Sequence, residues 1–197
     1  EGLSLLKEFR LLDAILIMNV EEALIDKALY STSVISNIMA IKIDTDPACI
    51  ISTSGSTGIP KSVVLSHRNI IDFIDWCIET FTFNQSDVIG SLSPFHFDIY
   101  ILELFVSLSQ GSVLHIIPPK ESTFPADLVN FLLINSVTFI FWVPTIMVNI
   151  SNLDILDVIK LSKLKKVFFA GEVFPAKHLN YWRTKLPDAE FVNLYGP

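Results

Sequence analysis

The feature that most constrains the fold is a long stretch without a charged residue, at residues 128–153. A stretch of this length could cross a bilayer as one helix, but it contains asparagine, serine and proline, and its pattern changes partway. Residues 128–134 have the apolar spacing of a helix, whereas residues 137–143 are β-branched and aromatic. The stretch therefore predicts a helix followed by a buried parallel strand, not a membrane span.

Strands and helices alternate in the same way along most of the chain. Strands are predicted at residues 48–53, 62–65, 88–92, 112–117, 137–143, 166–170 and 190–195. Helices are predicted after the N-cap residue Ser66, at residues 99–108, 125–134 and 175–185, and from Pro144. This alternation indicates an α/β fold with a mainly parallel sheet flanked by helices.

Two parts are expected. Residues 46–197 form the core α/β subdomain, and residues 1–45 form a partial N-terminal subdomain or connector. Within the latter, residues 3–11 and 21–29 have helical spacing, residues 14–18 form an apolar run of strand length, and residues 31–43 predict a polar connector.

Composition limits the classes of function. A formal net charge of −7 argues against a nucleic-acid partner. Cys49 and Cys77 lie in apolar contexts without a C-x-x-C spacing, which predicts buried thiols in a reducing, cytoplasmic compartment. Charged residues scattered through the first ten positions argue against a signal peptide. The four histidines have no metal-binding spacing.

A loop rich in glycine and hydroxyl groups, T-S-G-S-T-G-I-P-K at residues 53–61, joins two of the predicted strands. Glycine allows close approach of the backbone, hydroxyl and amide groups supply donors, and Lys61 supplies a point charge. These properties suit a polyanion and predict a phosphate-binding loop. A hairpin turn that binds no ligand, with a solvated Lys61, is the alternative.

The loop also approaches the nucleotide-triphosphatase pattern G-x-x-x-x-G-K-[ST]. Pro60, however, replaces the last glycine and has no N–H to offer a phosphate. That pattern also requires a helix to begin after the lysine, whereas residues 63–65 continue as a strand. Both differences argue against it, although a P-loop-like nucleotide-binding protein and a non-catalytic interaction module stay open as alternatives.

Four stretches resemble the signatures of one superfamily, the AMP-forming or adenylate-forming synthetases. Residues 53–61 resemble its phosphate-binding signature T-S-G-[ST]-T-G-x-P-K, and residues 93–100, S-P-F-H-F-D-I-Y, resemble its F-D-x-S segment. Residues 170–175 and 193–197 are similar to its G-G-E-x-x-P and N-x-Y-G-P-T-E segments. The resemblance covers about residues 46–197. It is tightest to the amino-acid adenylation domains of nonribosomal peptide synthesis and D-alanine carrier-protein ligases, with acyl-CoA ligases as the alternative within the superfamily.

The resemblance implies a role for each matching residue, in three groups. ATP phosphates are bound by Thr53, Ser54, Gly55, Ser56, Thr57, Gly58 and Lys61, and Lys61 is also the catalytic cation. Adenine is bound by Gly171, Glu172, Asn193, Tyr195 and Gly196. The substrate is bound by His96, Asp98, Ile99, Leu102, Phe168, Ala170 and Leu194, and the apolar members of this group favour an uncharged side chain.

Two of these roles also have a physical basis in the residues themselves. Asp98 follows Phe95 and Phe97, so its carboxylate needs a cationic partner to offset desolvation. The α-ammonium of an amino acid is one such partner, and a lysine of the chain is the other. Tyr195 could stack on a purine at the carboxyl end of the sheet, or it could be an ordinary core aromatic.

The match is imperfect and partial. Ser52, Ser62 and Tyr100 replace a tyrosine, a glycine and a serine of the signatures, and Tyr100 lies beside Asp98 in the predicted pocket. The Thr-Glu pair that includes the family's Mg²⁺ ligand, and the small C-terminal domain with its lysine, are absent from the sequence. The resemblance therefore implies a fragment of the large N-terminal domain, inactive alone. Its parent would use ATP and Mg²⁺ to adenylate an amino acid and load a carrier-protein phosphopantetheine.

Overall fold

The structure is a computed structural model that describes residues 32–53 and 61–194. The chain divides into two compact units, Glu1–Ile43 and Asp44–Pro197. The elements predicted at residues 3–29 lie outside the described residues. In the first unit, helix α1 spans Thr32–Ile41, so the prediction of a connector at residues 31–43 is wrong there. The segment contains neither glycine nor proline, and its polar residues were insufficient to interrupt a helix.

The second unit contains seven strands and seven helices within its described part. The strands are β1 (Pro47–Thr53), β2 (Lys61–Ser66), β3 (Val88–Ser91), β4 (Val113–Ile116), β5 (Phe139–Trp142), β6 (Lys166–Phe169) and β7 (Glu190–Asn193). The helices are α2 (His67–Phe81), α3 (Asp98–Gln110), α4 (Pro119–Ser122), α5 (Pro125–Ile134), α6 (Pro144–Asn152), α7 (Ile155–Val158) and α8 (Ala176–Lys185).

Strands β3 to β7 form a parallel sheet in the order β4-β3-β5-β6-β7. The predicted α/β class is therefore confirmed. Strands β1 and β2 form a separate antiparallel hairpin, in which Thr53 pairs with Lys61. Because β5 and β6 lie inside the sheet and are covered on both faces, all their residues are buried, as their continuous apolar sequences require.

Alternate strand residues point into two cores, one on each face of the sheet. Ile140 and Val167 belong to the core that includes residues of α5, α6 and α8. Phe139 and Phe168 belong to the opposite core, which includes residues of α2 and α3. Helices thus flank the sheet on both faces, and the period of two residues along each strand decides which core a side chain enters.

Helix α2 follows its sequence pattern closely. The hydroxyl of Ser66 accepts a hydrogen bond from the backbone N–H of Asn69 at 3.2 Å, and the Asn69 side chain accepts from the Ser66 N–H at 3.0 Å. This reciprocal cap confirms the predicted start of the helix. Along the helix, Ile70, Ile74, Cys77 and Phe81 form one buried apolar stripe, and Ile78 beside them is half-buried.

The uncharged stretch at residues 128–153 resolves into α5, β5 and α6. Asn135 and Ser136 separate helix from strand, and Ser136 takes a positive φ of 52°. No helix in residues 32–53 or 61–194 has both the length and the apolar character needed to cross a membrane. The predicted helix followed by a buried strand is therefore confirmed.

A buried polar cluster joins the amino ends of three central strands. The Lys166 ammonium lies 2.9 and 3.0 Å from the two carboxylate oxygens of Asp87. The hydroxyl of Thr138 donates to the same carboxylate at 3.0 Å, and the Lys166 ammonium lies 4.7 Å from the centre of the Phe83 ring. The cluster stabilises the sheet at the edge opposite the carboxyl ends of its strands.

Candidate active site

Asp98 is the first residue of α3, in the connection that follows the carboxyl end of β3. Its Oδ1 accepts a hydrogen bond from the Ile99 N–H at 2.9 Å. The backbone N–H groups and the dipole at the N-terminus of a helix attract a negatively charged side chain. Within the described ranges no lysine, arginine or histidine forms an ion pair with Asp98. This part of the chain therefore does not supply the lysine partner that was the alternative to a substrate ammonium.

The Asp98 carboxylate opens onto a largely apolar cavity of about 420 Å³. The cavity is lined by Leu65, Asn69, Ile70, Phe73, Trp76, Asp98, Ile99, Ile101, Phe141 and Leu194. Phe141 lies near the carboxyl end of β5 and Leu194 directly follows β7, so the cavity is at the carboxyl edge of the parallel sheet. This edge is where open α/β sheets bind ligands.

Three of the predicted substrate residues, Asp98, Ile99 and Leu194, meet at this cavity from segments far apart in sequence. Leu102, Phe168 and Ala170 are instead buried in the core behind it. The Phe168 ring centre lies 6.1 Å from that of Phe141, which does line the cavity. Phe168 therefore supports a wall residue, and direct contact of these three side chains with a substrate stays a prediction.

His96 is exposed in the loop before α3. Its ring centre lies 5.5 Å from that of Phe95 and 4.8 Å from that of Phe97. It is not among the residues that line the 420 Å³ cavity. Its predicted place against the acyl group stays a prediction.

Glu172 is positioned by helix α6. Its Oε2 accepts hydrogen bonds from the backbone N–H and the hydroxyl of Thr145, at 2.9 and 2.5 Å. Thr145 lies in the first turn of α6, so the carboxylate caps that helix and holds the turn after β6. Gly171 in this turn has a φ of 84°, a conformation that glycine adopts without strain.

Asn193 lies beside this turn because β6 and β7 are neighbours. Phe169 pairs with Asn193 in the sheet, and the Leu194 N–H donates to the Phe169 carbonyl at 2.9 Å. The sheet therefore brings two of the predicted adenine segments together, at residues 170–172 and 193–194. The contacts of Gly171, Glu172 and Asn193 with a base stay predictions, and Tyr195 and Gly196 lie outside the described residues.

The predicted phosphate loop closes the β1–β2 hairpin. Residues 54–60 lie outside the described residues, but both ends of the loop are defined by the pairing of Thr53 with Lys61. Lys61 begins a strand, as predicted, and not the helix that a nucleotide-triphosphatase loop requires. The strand after Lys61 therefore argues against a P-loop-like nucleotide-binding protein, because that class requires a helix at this point.

Sequence reasoning missed the contribution of α2 to the cavity. Phe73 and Trp76 lie off the buried stripe of this amphipathic helix, and both are partly exposed. Large aromatic residues on the polar side of a helix were the available signal. Phe141 was also missed, because a buried strand residue at a ligand-binding edge is indistinguishable in sequence from an ordinary core residue.

A second missed feature is a buried acid on α3. Glu103 of α3 is completely buried, and its Oε2 lies 2.5 Å from the Ser91 hydroxyl at the end of β3. Burial raises the pKa of Glu103 to about 8, although the Ser91 hydrogen bond acts in the lowering direction. Because Asp98 begins the same helix, the bond between Glu103 and Ser91 fixes the position of Asp98 relative to the sheet.

Comparison with known proteins identifies the family of this chain. The sequence model of the family described as "AMP-binding enzyme" matches residues 11–197. An L-proline:L-prolyl-carrier protein ligase of Pseudomonas fluorescens is 36% identical over 160 residues, which cover 81% of this chain and 32% of that protein. This chain thus spans about a third of the length of that relative.

Solved structures show the same fold. The Vibrio cholerae adenylation domain AlmE, in complex with glycyl-adenosine-5'-phosphate, matches with a TM-score of 0.70 and 27% identity, over 82% of this chain and 30% of that one. A nonribosomal peptide synthetase in its AMPPNP-bound form matches with a TM-score of 0.69 and 25% identity, over 78% of this chain and 16% of that one. From its motifs, its fold and these matches, the chain belongs to the family of AMP-binding enzymes.

Proposed function

We propose that the protein containing this chain adenylates an amino acid. In this reaction a substrate carboxylate oxygen attacks the α-phosphorus of ATP, and pyrophosphate leaves. The observation that carries the proposal is the carboxylate of Asp98 at the wall of an apolar cavity, at the carboxyl edge of the sheet. An apolar pocket with a single anionic group suits a ligand that has one cation and an apolar body.

Asp98 would bind the α-ammonium group and orient the substrate. Asp98 is exposed at the N-terminus of α3, so an ammonium group can reach its carboxylate directly. The loop at residues 53–61 would hold the phosphates, and the turn at Gly171 together with residues 193–196 would hold the adenine. Catalysis would then depend on positioning and on electrostatic stabilisation by Lys61.

ATP is the nucleotide we propose, and the AMPPNP in one structural relative supports this choice. Mg²⁺ would accompany the phosphates. Within residues 32–53 and 61–194 no group of three His, Cys, Asp or Glu side chains could hold a metal ion. Mg²⁺ at nucleotide sites is usually held by one or two carboxylates together with phosphates and waters, so the ion would bind with the nucleotide.

A carrier protein is the acceptor we propose for the activated amino acid. Its phosphopantetheine thiol would attack the acyl carbonyl, and AMP would leave. The proline ligase among the relatives, which acts on a carrier protein by its name, supports this partner. We also propose a cytoplasmic location, which the free cysteines Cys49 and Cys77 support.

Amino-acid-dependent exchange of pyrophosphate into ATP, measured on the full-length parent, tests the proposal. Asp98→Asn keeps the shape of the side chain but removes its charge. We expect kcat/KM for the amino acid to fall by about 100-fold, because truncating one side of such a charge pair costs about 2–5 kcal/mol. Asp127→Asn is the matched control, since Asp127 lies in the first turn of α5 and does not line the cavity.

Two results would contradict the proposal. Exchange that depends on simple fatty or aryl acids and survives Asp98→Ala would indicate an acyl-CoA ligase instead. Nucleotide binding by the intact parent without exchange for any acid would indicate a nucleotide-binding or interaction module.

A further inference from the structure

Helix α2 and the residue before its cap form half of the cavity wall. Leu65, Asn69, Ile70, Phe73 and Trp76 all line the cavity, on the side contributed by β2 and α2. None of them belongs to the segments that were predicted to bind substrate. The composition of this side therefore adds information about the substrate that the motifs do not contain.

The rings of Phe73 and Trp76 form an aromatic surface on this side. They lie three residues apart on α2, a spacing that places side chains next to each other on a helix. Their ring centres are 6.1 Å apart and their planes differ by 25°, so the two rings are stacked. Phe73 is 38% exposed and Trp76 is 47% exposed. Both rings therefore retain surface that a ligand can cover.

This aromatic surface is anchored to the core. Trp76 packs edge to face on Phe81 with ring centres 5.5 Å apart, and Phe81 packs on Phe168 at 4.6 Å. Phe168 is completely buried in β6. The chain of contacts fixes the rings before a ligand arrives, which reduces the ordering cost of binding.

Polarity limits what the cavity can accept. Asp98 and Asn69 are the polar residues among its described lining, which contains no lysine, arginine or histidine. If Asp98 binds the α-ammonium, an acidic substrate side chain would have no described cation to offset its desolvation. A bulky apolar side chain would instead cover the exposed faces of Phe73 and Trp76.

We infer that Phe73 and Trp76 are specificity-determining residues that select an amino acid with a large aliphatic or aromatic side chain. This inference rests on the proposed function, because it takes Asp98 as the site of the α-ammonium. The cavity of about 420 Å³ has room for such a side chain, whereas a small side chain would leave the exposed faces of Phe73 and Trp76 uncovered.

The test is pyrophosphate exchange by the full-length parent with glycine, alanine, aspartate, leucine and phenylalanine. We expect the wild type to prefer leucine or phenylalanine. Phe73→Ala and Trp76→Ala should each lower kcat/KM for that bulky substrate by about 10- to 100-fold, mainly through KM, because apolar contact area is lost. In these variants kcat/KM for free alanine as substrate should change by less than about threefold, since its methyl group covers little of either ring.

Controls separate selection from folding. Phe124→Ala removes an aromatic residue that is 64% exposed and lies outside the cavity, and it should leave the substrate preference unchanged. Trp76→Phe retains part of the surface and should give an intermediate loss. Equal losses for all substrates in both alanine variants would indicate a structural role and overturn the inference.

Failure of the inference can be distinguished from failure of the proposed function. A wild type that depends on Asp98 but prefers glycine or aspartate would overturn only the inference. If Phe73→Ala and Trp76→Ala both kept the substrate preference of the wild type, the inference would again be overturned and the proposed function would stand. Absence of exchange with every amino acid would overturn the proposed function and the inference together.

Discussion

Glu103→Gln should remove a large part of the pH dependence of folding stability. Burial raises the pKa of Glu103 from its ordinary value of 4.5 to about 8 in the folded protein. Between these two values the folded protein retains a proton that the unfolded chain has released. The free energy of unfolding therefore includes a contribution that is fully present below pH 4.5, decreases as pH rises, and is lost above about pH 8.

The size of this contribution follows from the two pKa values. A difference between 4.5 and about 8 corresponds to about 5 kcal/mol, at about 1.36 kcal/mol for each pH unit. Most of it, about 4 kcal/mol, is lost between about pH 5 and pH 9. Glutamine has the shape of the protonated acid and does not ionise. The free energy of unfolding of the variant should therefore not fall in this way as pH rises.

Urea unfolding across this pH range measures the effect, with fluorescence of the buried Trp142 and Trp182 as the signal. Relative to the wild type, Glu103→Gln should gain about 4 kcal/mol in free energy of unfolding between about pH 5 and pH 9. Glu79→Gln is the control, because Glu79 is exposed on α2. Parallel curves for the wild type and Glu103→Gln would refute the reasoning, since they would show that Glu103 is ionised and hydrated in the folded protein.

Two further predictions concern buried polar side chains, Lys166 in the sheet and Cys77 on α2. Lys166→Met should lower the free energy of unfolding by about 3–5 kcal/mol, because it leaves Asp87 buried without its cation. Arg68→Met, which breaks an exposed pair with Asp44, should cost less than about 1 kcal/mol; equal costs would contradict the prediction. In alkylation at about pH 8, the buried thiol of Cys77 should not react until the protein unfolds, because burial raises its pKa to about 12. Mass spectrometry should find alkylated Cys49 first, and equally fast labelling of both thiols would refute this expectation.

Much of the fold could be predicted because its signals are local. The stripe of α2, the capping residue Ser66 and the change of period within residues 128–153 each depend on neighbours within a few turns of chain. The strand that follows Lys61 was also predictable from its β-branched residues. The exceptions were the one-turn helices α4 and α7, which were not predicted, and α1, where polar residues suggested a connector although no helix-breaking residue was present.

The candidate site was predictable only in part. Its motifs identified Asp98, Ile99 and Leu194, which do meet at the cavity. They did not distinguish these wall residues from Leu102 and Phe168, which are buried behind the wall. All of these except Asp98 are apolar, and an apolar residue has the same sequence signature in a core and in a ligand pocket.

The sequence by itself determined most of the helices and strands, which family signatures are present, and that Asp98 lies at the start of a helix. Only the tertiary structure decided what surrounds that acid. The strand order β4-β3-β5-β6-β7 places residues 98, 141 and 194 at one edge of the sheet, and the packing of α2 adds Phe73 and Trp76 opposite the motif residues. The physical reason is that contacts between distant segments depend on strand order and helix packing, which no local periodicity records.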